Sequence, residues 1–139
     1  MAGKITLEVV TPEHLLLSKQ VDEVIAPGSE GEFGVLPGHA AFLTTLKIGE
    51  LQYKIDNAWH SMSVLWGYAE VNQTKVTILA EVAEKAEDIN VERAAEKVAE
   101  AEQRLQTGGL PSDLKEAQIS LEKARLRKKI AERAKRAGH

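Results

Sequence analysis

Between Lys4 and about residue 80 the apolar positions recur with a period of two. Ile5, Leu7 and Val9 alternate with Lys4, Thr6 and Glu8, as a strand buried on one face requires. The same alternation predicts strands over residues 21–26, 41–46, 51–55, 59–65, 66–71 and 75–79. Asp56-Asn57 and Asn72-Gln73-Thr74 supply turn chemistry between neighbouring strands. Many short strands joined by turns predict an antiparallel β-sandwich, or flattened barrel, and argue against βαβ units.

After residue 80 the period lengthens. Val91, Ala94, Ala95, Val98, Ala101 and Leu105 fall at helical spacing, with Asp88 or Asn90 as the capping residue. Gly108-Gly109 ends this helix, because glycine takes the left-handed position beyond a C-terminus without a steric penalty. Pro111 and Ser112 open a second helix, with Ser112 as its N-cap. Leu114, Ala117, Leu121, Ala124 and Ala131 form its apolar stripe, widened by Ile119, Leu126 and Ile130. A connection this short predicts an antiparallel two-helix hairpin. The expected fold is therefore β + α, with an N-terminal antiparallel sandwich over residues 1–86 and a C-terminal helical hairpin over 87–139. The first helix offers mainly Ala and Val, and small side chains bury less apolar area than Leu, so the pair is expected to close tightly but hold weakly.

The charge is unevenly divided. Residues 115–136 carry nine Lys or Arg against three Glu, a net +6, and the preceding residues carry nine bases against eighteen acids, a net −9. An acidic body with a basic end predicts an acidic partner, or a fold-back of the end on the body. Nucleic acid is the rival reading of that basic run, but residues 115–136 contain no aromatic residue on which bases stack. Cysteine is absent from the sequence, which removes disulfides, thiolate catalysis and cysteine-bound zinc. No apolar run reaches the roughly 20 residues that cross a bilayer, and no secretory h-region is expected at the N-terminus. No phosphate-cradling or zinc-protease motif occurs, and His14, His39, His60 and His139 are scattered. No catalytic residue and no metal site are expected.

The stretch Gly28-Ser29-Glu30-Gly31-Glu32-Phe33-Gly34-Val35-Leu36-Pro37-Gly38-His39-Ala40 is the most distinctive. Taken alone it is a hairpin with a polar surface, whose glycines permit tight turns and whose irregular loop presents the carboxylates of Glu30 and Glu32. As a string it closely resembles the ε subunit of bacterial and plastid F-type ATP synthases. Leu7-Glu8-Val9-Val10-Thr11-Pro12, Gly67-Tyr68-Ala69-Glu70-Val71 and Val76-Thr77-Ile78-Leu79 are similar to further recurrent segments of that family. Ala41 departs from the proline usual there, which affects loop stiffness.

The resemblance implies a non-catalytic rotor subunit of the central stalk, peripheral on the cytoplasmic face of a bacterial inner membrane and held there through the complex. It implies that Glu30, Gly31 and Glu32 face the c-ring and that His39 lies towards the γ subunit. It implies that the hairpin reaches the α/β catalytic head when extended and inhibits hydrolysis there, with Arg125, Arg127, Lys128 and Arg133 as the basic contact. Some members bind ATP in the folded hairpin. The matching residues here are Ile89, Asn90, Arg93 and Ala94, with Glu84 and either Arg125 or Lys129 completing the set. Asn90 stands where the motif has aspartate, so weak or absent ATP binding is expected, and no cofactor is required. Without the resemblance, the residues describe a β-sandwich adaptor with a basic helical arm.

Overall fold

The computed structural model describes residues 3–136. The chain divides into two compact units, Met1–Glu84 and Lys85–His139. The first holds eight strands: β1 (Ile5–Val10), β2 (Leu15–Val21), β3 (Glu23–Gly28), β4 (Gly31–Val35), β5 (Phe42–Leu46), β6 (Gly49–Ile55), β7 (Ala58–Val71) and β8 (Lys75–Lys85). They hydrogen-bond in the order β2-β1-β8-β7-β5-β3-β4, and β6 pairs with both β3 and β7. That double pairing curls one sheet into the two layers of a sandwich. Ile5, Leu7, Val9, Leu51, Met62, Val64, Val76 and Ile78 fill the interior, as the alternation along each strand demands.

The strands depart from expectation in several places. Residues 21–26 do not form one strand, because Asp22 breaks the run and Val21 closes β2 while Glu23 opens β3. Strand β2 was not predicted, since Leu15-Leu16-Leu17 shows no alternation. The hairpin expected over residues 28–40 forms at its start, where β4 pairs with β3 from Val24↔Val35 to Gly28↔Gly31, and Glu32, expected on the irregular loop, lies on a strand. Strand β1 pairs with β8 in parallel, whereas its pairing with β2 and the pairings of β3 to β7 among themselves are antiparallel.

Strand β7 merges the two strands expected over 59–65 and 66–71. Its first part pairs with β6 up to Gly49↔Val64, and its second part pairs with β5 from Leu46↔Gly67 onward. The changeover falls at Trp66 and Gly67, where φ is +44° and +153°. Positive φ interrupts the alternation and lets one strand serve both layers.

In the second unit, a 3₁₀ turn (Ala86–Asp88) precedes α1 (Val91–Thr107) and α2 (Pro111–Arg136). Helix α1 begins at Val91, directly after an expected cap, and β8 runs on to Lys85, beyond the strand expected over 75–79. Of the two capping candidates, Asn90 caps α1: its Oδ1 accepts from the Arg93 backbone N–H at 2.8 Å. Gly108 and Gly109 both take positive φ, at +76° and +139°. Pro111 is the first residue of α2, and the Leu114 N–H donates to the Leu110 carbonyl, so Ser112 lies inside the helix and is not its cap.

The helices meet through two small apolar clusters. Val98 and Ala101 of α1 pack on Leu121 and Ala124, and Ala94 packs on Ile130 and Ala131 together with Ala86 and Ile89. A buried alanine methyl contributes about 0.8 kcal/mol, against about 1.5–3 kcal/mol for a full Leu or Ile side chain. Leu121 and Ile130 therefore carry most of a thin seam.

Candidate functional site

The expected c-ring residues sit on a tight hairpin. Glu30 is exposed in the turn between β3 and β4, and Gly31 has φ +131°. Ser29 ties this turn to β5, its N–H donating to the Thr45 carbonyl at 2.9 Å and its hydroxyl accepting from Thr45 Oγ1 at 2.7 Å. Glu32 is exposed one step along β4. Its carboxylate and that of Glu30 are thus carried on a braced scaffold.

His39 sits near the opposite end of β5. Its Nδ1 lies 2.7 Å from the Ala40 carbonyl, and its ring meets Phe42 edge on at 6.4 Å between centroids. The turn holding it is fixed by the Gly38 N–H on the Gln73 carbonyl and the His39 N–H on the Leu36 carbonyl. The Glu30 turn is bonded to the Thr45 end of the same strand, so the two expected contacts form separate features.

An apolar strip that the sequence reading passed over lies on the outer side of β5 and β7. The registers Leu43↔Glu70 and Thr45↔Tyr68 put Leu43 and Tyr68 on one face, and they are 69% and 55% exposed. Trp66 and Leu79 add further exposed apolar surface nearby in the sheet order. The signal was present in Trp66-Gly67-Tyr68-Ala69-Glu70, where large aromatics occupy the face opposite Ala69 and Val71.

The residues expected to form an ATP site are only partly gathered. Ile89 is buried against Ala94 and Ile130. Asn90 spends its amide oxygen on capping α1. A depression of about 230 Å³ beside Ile89 and Ala131 is lined by Glu87 and Glu92, and no basic side chain lines it among the described residues. Arg93 is exposed in an adjoining depression that shares Asn90 and Glu92 and adds Glu96, Lys97 and Glu100. Arg125 pairs with Glu102 at 3.3 Å, nine residues along α1 from Arg93, or about 14 Å at 1.5 Å per residue. Lys129 is exposed on α2, and Glu84 belongs to β8 in the first unit.

The basic residues of α2 do not all share a face. At 100° per residue Arg125, Lys129 and Arg133 recur every four positions and follow one line. Lys128 stands to one side of it, and Arg127 projects from roughly the opposite side of the helix.

The family description "ATP synthase, Delta/Epsilon chain, beta-sandwich domain" matches residues 4–86, and "ATP synthase, Delta/Epsilon chain, long alpha-helix domain" matches residues 87–132. The chain belongs to the ATP synthase epsilon-chain family. The ATP synthase epsilon chain of Citrifermentans bemidjiense is 49% identical over 139 residues, covering 98% of this chain and 99% of the relative. That of Nitratidesulfovibrio vulgaris is 49% identical over 130 residues, covering 94% and 97%. Among solved structures, a chain of the Euglena gracilis mitochondrial ATP synthase (OSCP/F1/c-ring, rotational state 1) superposes with a TM-score of 0.78 at 25% identity, covering 90% of this chain and 79% of that one. A chain of the Tetrahymena thermophila mitochondrial enzyme's central stalk and c-ring shares the fold, with a TM-score of 0.64 at 14% identity. No described helix is long and apolar enough to cross a membrane.

Proposed function

We propose that the chain is a non-catalytic central-stalk subunit of an ATP synthase, peripheral on the cytoplasmic side of a bacterial inner membrane and held there through its partners. The exposed Leu43–Tyr68 strip carries this reading. Large apolar side chains on a sheet face that stay in water mark a surface that another protein covers. The strip takes the γ subunit, and His39, against Phe42 at the start of β5, is a further contact to it. Glu30 and Glu32, on the braced β3–β4 turn, meet the c-ring, where rim carboxylates set association rate and register more than affinity.

The hairpin is the regulatory half of the proposal. The line of Arg125, Lys129 and Arg133, joined by Lys128, engages acidic segments of the catalytic head and opposes rotation in the hydrolysis direction. Its thin seam, in which Leu121 and Ile130 are the large residues among Ala and Val, lets a partner contributing a few kcal/mol displace it. Arg127 is the weakest member of the set, since it leaves the shared line.

The test is an ATPase assay of the assembled enzyme with the full chain and with residues 87–139 deleted. Hydrolysis rises on deletion while synthesis is kept. Equal hydrolysis rates with the two chains remove the inhibitory role, and failure of the 1–86 piece to assemble removes the docking role.

A further inference from the structure

Arg125, on the α2 line, forms an ion pair with α1. Its Nη2 lies 3.3 Å from Glu102 Oε2. The pair bridges the helices beside their small apolar cluster, because Ala101 precedes Glu102 and Ala124 precedes Arg125, and both alanines are buried. Arg125 also heads a run of like charge, with Lys128 and Lys129 one turn further along. Like charges at that spacing repel, so Glu102 relieves a repulsion that α2 alone would carry. Both side chains remain well exposed, 61% for Arg125 and 48% for Glu102, which keeps the bond readily exchangeable.

We propose that Glu102 is an internal competitor: it latches α1 to α2 and withholds Arg125 from the carboxylate-rich partner. This inference rests on the reading of α2 as the surface for an acidic partner. Closure of the hairpin and engagement of the partner draw on one guanidinium and exclude each other. Salt weakens latch and partner contact alike, since both are charge pairs in contact with water. An exposed ion pair corresponds to an equilibrium shift of up to about five-fold, so Glu102 biases a switch and does not lock it.

The absence of cysteine from the sequence makes the test direct. Spin labels at Ala99→Cys and Gln118→Cys, both exposed and uncharged sites, report the distance between α1 and α2 in the full chain. Poly-L-glutamate serves as the acidic probe. In Glu102→Gln the open fraction rises roughly two- to five-fold and poly-glutamate binds tighter by a similar factor. In Arg125→Gln the open fraction rises equally but binding weakens. The exchange Glu102→Arg with Arg125→Glu restores the closed distances and leaves binding no tighter than in the parent chain. Unchanged distances in both single variants overturn the latch, and so does Glu102→Gln with unchanged binding. If all these results hold but Glu102→Gln leaves hydrolysis by the assembled enzyme unaltered, the latch stands and the inhibitory role proposed for the hairpin fails.

Discussion

Gly67 packs its backbone directly under Leu79, so that a Cβ at residue 67 would overlap the Leu79 carbonyl oxygen. The same residue has φ +153° and sits where β7 passes from β6 to β5. Gly67→Ala therefore adds overlap with rigid backbone to an unfavourable dihedral. Overpacking costs about 1–3 kcal/mol and a strained backbone a similar amount, so the variant loses roughly 3 kcal/mol or more. Chemical denaturation checks this through a lower midpoint with an unchanged slope. Wild-type stability in the variant would mean that the β7 junction yields easily.

The first unit is expected to fold without the second. Its core, from Ile5 to Ala80, closes among its own strands. A fragment of residues 1–86 unfolds in a single cooperative transition. A broad, probe-dependent transition would show that the sandwich depends on the helices.

One corner of the sandwich carries a pH signature. Lys4 Nζ lies 2.6 Å from Asp22 and 3.4 Å from Asp56, and the Asp56 N–H donates to Asp22 at 2.9 Å. The hydrogen bond to Lys4 holds the Asp22 carboxyl below its ordinary value, and the bond to Asp22 raises the Lys4 ammonium above its own. The Asp22 contribution is present above the ordinary carboxylate range and is lost as pH falls through the depressed value. The Lys4 contribution is present below the ordinary lysine range and is lost as pH rises through the raised value. Asp22→Asn should remove the acid-side part of this dependence, measured as the difference in denaturation midpoint between neutral and acidic pH.

Docking through the apolar strip has a selective test. Leu43→Lys and Tyr68→Lys add charge to positions already in water and near Glu70, so the fold keeps its stability to within about 0.5 kcal/mol. Assembly with the stalk partner weakens at least ten-fold in the double variant, as loss of two buried anchors demands. Co-purification of the double variant at wild-type stoichiometry would place the interface elsewhere.

Asn90 separates capping from nucleotide binding. Asn90→Ala removes the oxygen that accepts from Arg93 N–H and costs the hairpin about 1 kcal/mol. Asn90→Asp keeps the cap. Calorimetry with ATP should give no micromolar binding in the natural chain, since Glu87, Glu92, Glu96 and Glu100 outnumber Arg93 and Lys97 in the two depressions beside Asn90. Micromolar affinity that is unchanged in Asn90→Asp would contradict this account.

Much of the architecture is local and therefore legible in the sequence. Alternation at Ile5-Leu7-Val9 marks a strand because successive side chains point to opposite faces. Asn90, Gly108 and Gly109 mark helix ends because a cap and a left-handed residue are needed within one turn of them. The net +6 of residues 115–136 and the family resemblance also needed no coordinates. Tertiary structure decided what depends on partners distant in the chain. The parallel pairing of β1 with β8 joins residues about seventy apart, and its two-residue period is the same as that of an antiparallel pair. The local pattern places a strand boundary at residues 65–66, but only distant pairing decides that the chain there stays one strand and passes from β6 to β5. Whether Arg125 is free or held depends on the register of two helices, which brings it to Glu102. Composition fixes which charges exist, but only packing fixes which of them meet, because a side-chain bond forms over a few ångströms and the chain's own order says nothing of such distances.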